Sequence, residues 1–187
     1  MLGGMIVAGA VVAKWWTDDL RASRGPSVPA TGFPGATAAS PAAIGLGALG
    51  ALALVALETA GESALGLTDQ QSRMTVLFGV YTLVAAFLEE LVFRGYLVIE
   101  NRGRAPLWAG VVGASVLFAL LHPFLWAWKD GTFQIHLTTK AWFSTGMVFA
   151  ASLWFYAVRF LPVNPARSLL PCIAAHLAKN LAVFAIK

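Results

Sequence analysis

Residues 74–99 read MTVLFGVYTLVAAFLEELVFRGYLVI, and this stretch decides the fold. It exceeds the roughly 20 residues that a helix rising about 1.5 Å per residue needs to cross a hydrocarbon core about 30 Å thick. Toward its end stand Glu89, Glu90 and Arg94, groups that hydrocarbon penalises by about 2.5–3.5 kcal/mol each on insertion scales. A membrane helix that keeps such groups turns them toward other helices or a water-filled cavity, and ionisable groups placed there are functional candidates.

The same apolar character recurs on both sides of this run. Further apolar stretches fall at about residues 2–16, 42–57, 106–125, 141–161 and 169–186. The second can be extended toward Leu67 if Glu58 and Glu62 face protein or the interface. The chain has 187 residues, 58% of them hydrophobic and 12% charged, against roughly 45–50% and about 25% in soluble domains. Thirteen basic and nine acidic residues are too few to cover a water-soluble surface. The expected fold is therefore all-α, a multi-pass transmembrane helical bundle of about six membrane segments.

The net charge of +4 comes from scattered Lys and Arg with no basic stripe, which excludes a nucleic-acid surface. Cys172 is the single cysteine, so no internal disulfide exists, and its apolar setting reads as a small buried hydrophobe. Met1–Trp16 lacks a basic stretch before its apolar part and reads as a retained segment rather than a signal peptide. Residues 17–41, rich in Pro, Gly, Ser and Thr, read as a flexible linker. Lys14, Arg21, Arg24, Arg102, Arg104, Arg159 and Arg167 fall in one set of alternate loops and outnumber Arg73, Lys129, Lys140 and Lys187 in the other. The positive-inside rule then places both termini outside. Trp15, Trp16, Trp108, Trp126, Trp128 and Trp142 lie near span ends and are expected to form an interfacial belt.

Three polar patterns interrupt the apolar runs. Glu90 and Arg94 are four residues apart and share a helical face, so they neutralise each other, while Glu89, about 100° round, is left to point elsewhere. Phe118 stands one turn before His122, where its ring limits the imidazole's rotamers. Pro123 cannot donate to the carbonyl of Ala119, so the helix stops or kinks at the histidine. His176 and Asn180 repeat the four-residue spacing, with Lys179 beside them expected to snorkel to an interface or a water-filled cavity. His136, in the polar loop 129–140, reads as a solvated residue.

Taken in order, Glu89-Glu90-x-x-x-Arg94, Phe118-x-x-x-His122 and His176-x-x-x-Asn180 resemble the three motifs of the CPBP family of intramembrane proteases. That family includes type II CaaX prenyl endopeptidases, bacteriocin-processing and Abi-like self-immunity proteins, and short myxosortase-like members thought to process C-terminal sorting tails. The resemblance implies a catalytic helical core over residues 74–187, preceded by N-terminal membrane segments and a flexible loop over 1–73. It implies that Glu89 and His122 activate a water, that His176 and Asn180 bind the oxyanion, and that Glu90, Arg94 and Phe118 support the site. The expected substrate is a membrane-tethered or lipid-modified protein, and the expected location is a bacterial cytoplasmic membrane.

The chemistry is coherent without the resemblance. Peptide hydrolysis needs a base for water, donors for the oxyanion and an acid for the leaving amine. No G-x-S-x-G, C-G-x-C or H-E-x-x-H occurs in the chain. Glu89, His122 and His176 are also the ligand types of a two-His, one-carboxylate zinc site, so a zinc mechanism stays open beside the favoured metal-free one. A proton-coupled transporter would use the same residue types, but no internal duplication is visible. A catalytically inactive membrane scaffold is the bland alternative.

Overall fold

The computed structural model describes residues 2–25, 32–71 and 74–186. Arg73 and Lys187, both counted above among the outer basic residues, lie outside the described residues, as do Met1 and the linker residues 26–31. Each of the six apolar stretches forms a helix. These are α1 (Leu2–Ala22), α2 (Pro41–Ala64), α3 (Val76–Glu89), α4 (Arg104–Leu121), α5 (Thr139–Phe160) and α6 (Leu170–Ile186). A 3-10 turn covers Thr68–Gln70, and α3 runs on without a break into a π-helical turn, Glu90–Tyr96.

Four of these are long and apolar enough to cross a membrane: α2, α3 with its π-turn, α4 and α5. The apolar α6 is shorter. By contrast, any stretch of α1 long enough to span includes Lys14, Asp18 and Asp19. The exterior is that of a membrane protein, with Leu49, Leu57, Val76, Val112, Leu117 and Leu120 exposed, while Glu62, Glu90, Arg94, Ser115, Ser152 and Asn164 are buried. Such inversion follows when lipid, rather than water, is the solvent outside.

Local chemistry sets the helix starts. The hydroxyls of Ser40, Thr75 and Thr138 accept from the backbone N–H three residues on, at 3.1, 3.2 and 3.2 Å. At the α2–α6 crossing the backbones touch. A Cβ on Gly47 would lie 2.6 Å from the Pro171 carbonyl oxygen, so only glycine allows this approach.

Three regions depart from the sequence reading. The expected linker is largely structured: α1 continues to Ala22, and residues 32–40 strap across the α5–α6 loop. Leu169 N–H donates to Gly35 O at 3.0 Å, Ser168 Oγ to Thr37 O at 2.5 Å, and Thr37 Oγ1 to Ala166 O at 3.2 Å. Trp16 is not a belt residue. It is 2% exposed, and its indole N–H donates to Pro34 O at 3.2 Å. The expected loop 129–140 begins within a hairpin, β1 (Trp126–Lys129) against β2 (Thr132–Ile135), antiparallel with Trp126 opposite Ile135. Asp130 and Gly131 both have positive φ (51° and 75°), the backbone a tight hairpin turn of matching twist requires.

The antiparallel run of the chain gathers the loop arginines at one end. Glu100 there bridges Arg159 (2.8 Å) and Arg167 (2.9 Å). The hairpin, the end of α2 and the starts of α3 and α5 lie at the other end, where Glu62 is bonded by Gln71 and Lys140.

Candidate active site

The π-turn at the end of α3 builds the support. Glu90 and Arg94 are both completely buried, with Arg94 Nη1 3.2 Å from Glu90 Oε1. Arg94 Nη2 donates to Ser152 Oγ (2.6 Å) and Ser152 O (3.3 Å) on α5, and Ser152 Oγ in turn donates to Ser115 Oγ on α4 at 3.0 Å. Rings cover the guanidinium: its carbon lies 4.5 Å from the Phe118 centroid, 4.8 Å from Tyr156 and 5.2 Å from Phe155. One ion thus holds α3, α4 and α5 together, as expected of a buried charge that must be paired and hydrogen-bonded. Tyr156 adds a bond from its hydroxyl to Phe93 O at 2.6 Å.

His176, on α6, completes this assembly. Its Nδ1 is 2.8 Å from Glu90 Oε1, and its ring stacks on Phe155 with centroids 4.7 Å apart. Its Nε2 lies 3.7 Å from Glu89 Oε2. Glu89 is one-third exposed where Glu90 is fully buried, so adjacent carboxylates on one helix have different surroundings.

His122 caps α4 in an extended conformation, the consequence of Pro123. The carbonyl released there is not the one the sequence suggests. His122 N–H donates to Ala119 O at 3.3 Å, and Phe118 O is taken by the imidazole Nδ1 at 2.8 Å. The last turn tightens, so the histidine's own backbone N–H reaches back three residues instead of four. Because a carbonyl only accepts, Nδ1 carries the hydrogen and Nε2 is left as an acceptor. Phe118 packs on His122 with centroids 4.8 Å apart, and its edge also meets His176 at 6.0 Å. Asn180 does not simply pair with His176. Its Nδ2 donates to Thr82 O on α3 at 3.0 Å, and the same nitrogen carries a second hydrogen.

Glu89, His122, His176 and Asn180 all line one cavity of about 990 Å³. Its mouth lies at the hairpin end of the bundle, where Gln70, Gln71, Thr138 and Lys140 line it, and Phe155 and His176 stand deeper. His136 lines the cavity too, a departure from its reading as a solvated loop residue. Glu58 and Lys179 share the wall, their charges 3.9 Å apart. The reading of the sequence missed Ser152, Phe155 and Tyr156. The only signal available was a serine inside an apolar run.

Among the described residues no three of His, Cys, Asp and Glu are grouped to hold a metal ion.

Residues 71–182 match the family described as type II CAAX prenyl endopeptidase Rce1-like. No curated protein and no solved structure matches the chain.

Proposed function

The chain belongs to the Rce1-like type II CAAX prenyl endopeptidase family, and from that premise we propose that it is an intramembrane endopeptidase in which Glu89 and His122 activate a water. The observation that carries the reading is the shared cavity, with Glu89, His122, His176 and Asn180 on its wall.

A water has two hydrogens. Glu89 accepts one, and His122 Nε2, left as an acceptor by the Phe118 bond, takes the other. Glu89 removes its proton as the oxygen bonds to the peptide carbonyl carbon. Negative charge then develops on the carbonyl oxygen, where donors contribute most. The second hydrogen on Asn180 Nδ2 is one donor. The ring of His176, held at Nδ1 by Glu90, supplies the other from Nε2. The carbon–nitrogen bond breaks as Glu89 returns its proton to the leaving amine. Glu90, Arg94 and Phe118 touch no substrate in this scheme; they hold α3, α4, α5 and α6 in register.

A helix hides its amides, so the substrate reaches these groups as an extended segment. The expected substrate is a lipid-anchored or membrane-tethered protein cut near the membrane surface. Because the mouth lies away from the arginine-rich end, the positive-inside rule places cleavage on the outer face. The test compares protein termini in membrane and surface fractions of cells carrying wild-type protein or Glu89→Ala. The expected result is a set of proteins that keep an uncleaved segment in the mutant. No changed terminus, together with an altered ion or metabolite gradient, would replace the protease by a transporter.

A further inference from the structure

The hairpin after α4 has two unlike faces. Trp126 pairs with Ile135 and Trp128 with Phe133, and residues two apart on a strand share a face. All four large apolar side chains therefore stand on one side of the two-stranded sheet. Phe133 joins them, its ring centroid 6.0 Å from that of Trp126 and 6.2 Å from that of Trp128. Ala127, Lys129, Thr132 and Gln134 stand on the other side. The apolar side is open, with Trp128 70% exposed, Ile135 66% and Phe133 55%. A two-stranded hairpin by itself is marginal in water and gains stability when its apolar face is covered.

The attachment to α4 identifies the cover. β1 starts four residues after His122, and the Trp126 indole N–H donates to Leu120 O, in the last turn of α4, at 2.7 Å. That turn ends a helix long and apolar enough to cross the membrane, with Leu117 and Leu120 facing outward. The hairpin therefore leaves the bundle at the level where the lipid-facing surface ends. The headgroup layer at that level favours Trp, whose ring is amphipathic, and it suits an element that is apolar on one side and polar on the other. A second protein chain fits less well. A whole aromatic side chain buries about 150–250 Å², so four part-covered side chains offer less than the roughly 800 Å² per partner of a stable protein interface.

The same hairpin carries the rim of the cavity. Pro123 and Phe124 on its entering leg, and His136 and Thr138 on its leaving leg, line the cavity. His136 N–H donates to Leu125 O at 2.8 Å, which extends the ladder to the rim, and the Phe124 ring stacks on His122 with centroids 6.2 Å apart. We propose that the hairpin is a lipid-docking surface: the face formed by Trp126, Trp128, Phe133 and Ile135 lies in the headgroup layer of the leaflet at the cavity mouth and holds the rim there. The proposal goes beyond the protease reading and does not rest on it.

The test uses full-length protein in phosphatidylcholine nanodiscs, with the environment-sensitive fluorophore NBD attached in turn to Thr132→Cys, Phe133→Cys, Gln134→Cys and Ile135→Cys. All four positions of β2 are exposed and Cys172 is buried, so the label goes to the hairpin. Two quenchers are compared, a lipid carrying a nitroxide just below its headgroup and aqueous iodide. Labels at 133 and 135 are expected to be quenched by the nitroxide lipid and to lose quenching by iodide, and labels at 132 and 134 to show the reverse. Trp128→Glu, which puts a charge on the apolar face, is expected to open the label at 135 to iodide. If that variant does not fold, the alternation among the four labelled proteins carries the test. Iodide access at all four positions, lipid quenching without alternation, or a label at 135 that Trp128→Glu leaves in lipid would overturn the proposal. So would a face shielded from both quenchers, the result expected of a second protein chain.

Discussion

Arg94→Met isolates the energetics of the buried support. Arg94 Nη1 stands 3.2 Å from Glu90 Oε1 with neither side chain exposed. At an effective dielectric constant of about 20 their attraction is ~5 kcal/mol, most of it offset by the cost of removing both ions from water. Removing only the arginine leaves that cost on Glu90 unrecovered, and breaking a buried pair in this way costs about 3–5 kcal/mol. The folding equilibrium should therefore fall roughly 150- to 5,000-fold. Glu90→Gln should cost a similar amount, because the guanidinium is stranded although an amide oxygen can still accept from His176. The double variant Glu90→Gln/Arg94→Met buries no charge at this position and should cost well under the sum, with a coupling of about 3 kcal/mol or more. Reversible unfolding of the four proteins in bicelles, measured by steric trapping, gives the cycle directly. Additive single costs, with a coupling within about 0.5 kcal/mol, would refute the account of the pair as mutually compensating charges.

Other outcomes follow from the same geometry. Glu89→Gln and His122→Ala should each lower turnover by at least about 100-fold while melting temperature in detergent stays close to wild type; near-native turnover of either would remove it from the mechanism. Asn180→Ala should lower kcat about 100- to 1,000-fold with little change in KM, because the oxyanion exists only past the ground state. Gly47→Ala places a methyl 2.6 Å from the Pro171 carbonyl oxygen and should destabilise the α2–α6 contact by about 1–3 kcal/mol, visible as a lower melting temperature. With Cys172 buried, impermeant thiol reagents on intact cells should label Gln71→Cys and not Arg104→Cys, and the reverse pattern would invert the proposed side of cleavage.

Much of this protein was legible without coordinates. Its solvent was set by composition, because nine acidic and thirteen basic residues cannot wrap 187 residues in water. Helix positions followed from the lengths of the apolar runs. The candidate residues stood out because each charge or histidine in such a run carries a cost that needs a reason. Spacing also foretold local pairs that need only one helix, Glu90 with Arg94 and Phe118 with His122.

What needed the tertiary structure was everything between helices. Ser152 on α5 holding Arg94, Glu90 holding His176, and Thr82 holding Asn180 join residues 58, 86 and 98 positions apart. No local period encodes such a distance. The same limit explains His136 and Trp16, whose neighbours alone suggest solvent and interface. The first is drawn to a cavity wall by a hairpin, and the second is covered by the strap over residues 32–40. Sequence decides which side chains are too costly to leave in lipid, because that cost belongs to each residue. Only packing decides which partner relieves the cost, because that depends on how six helices meet.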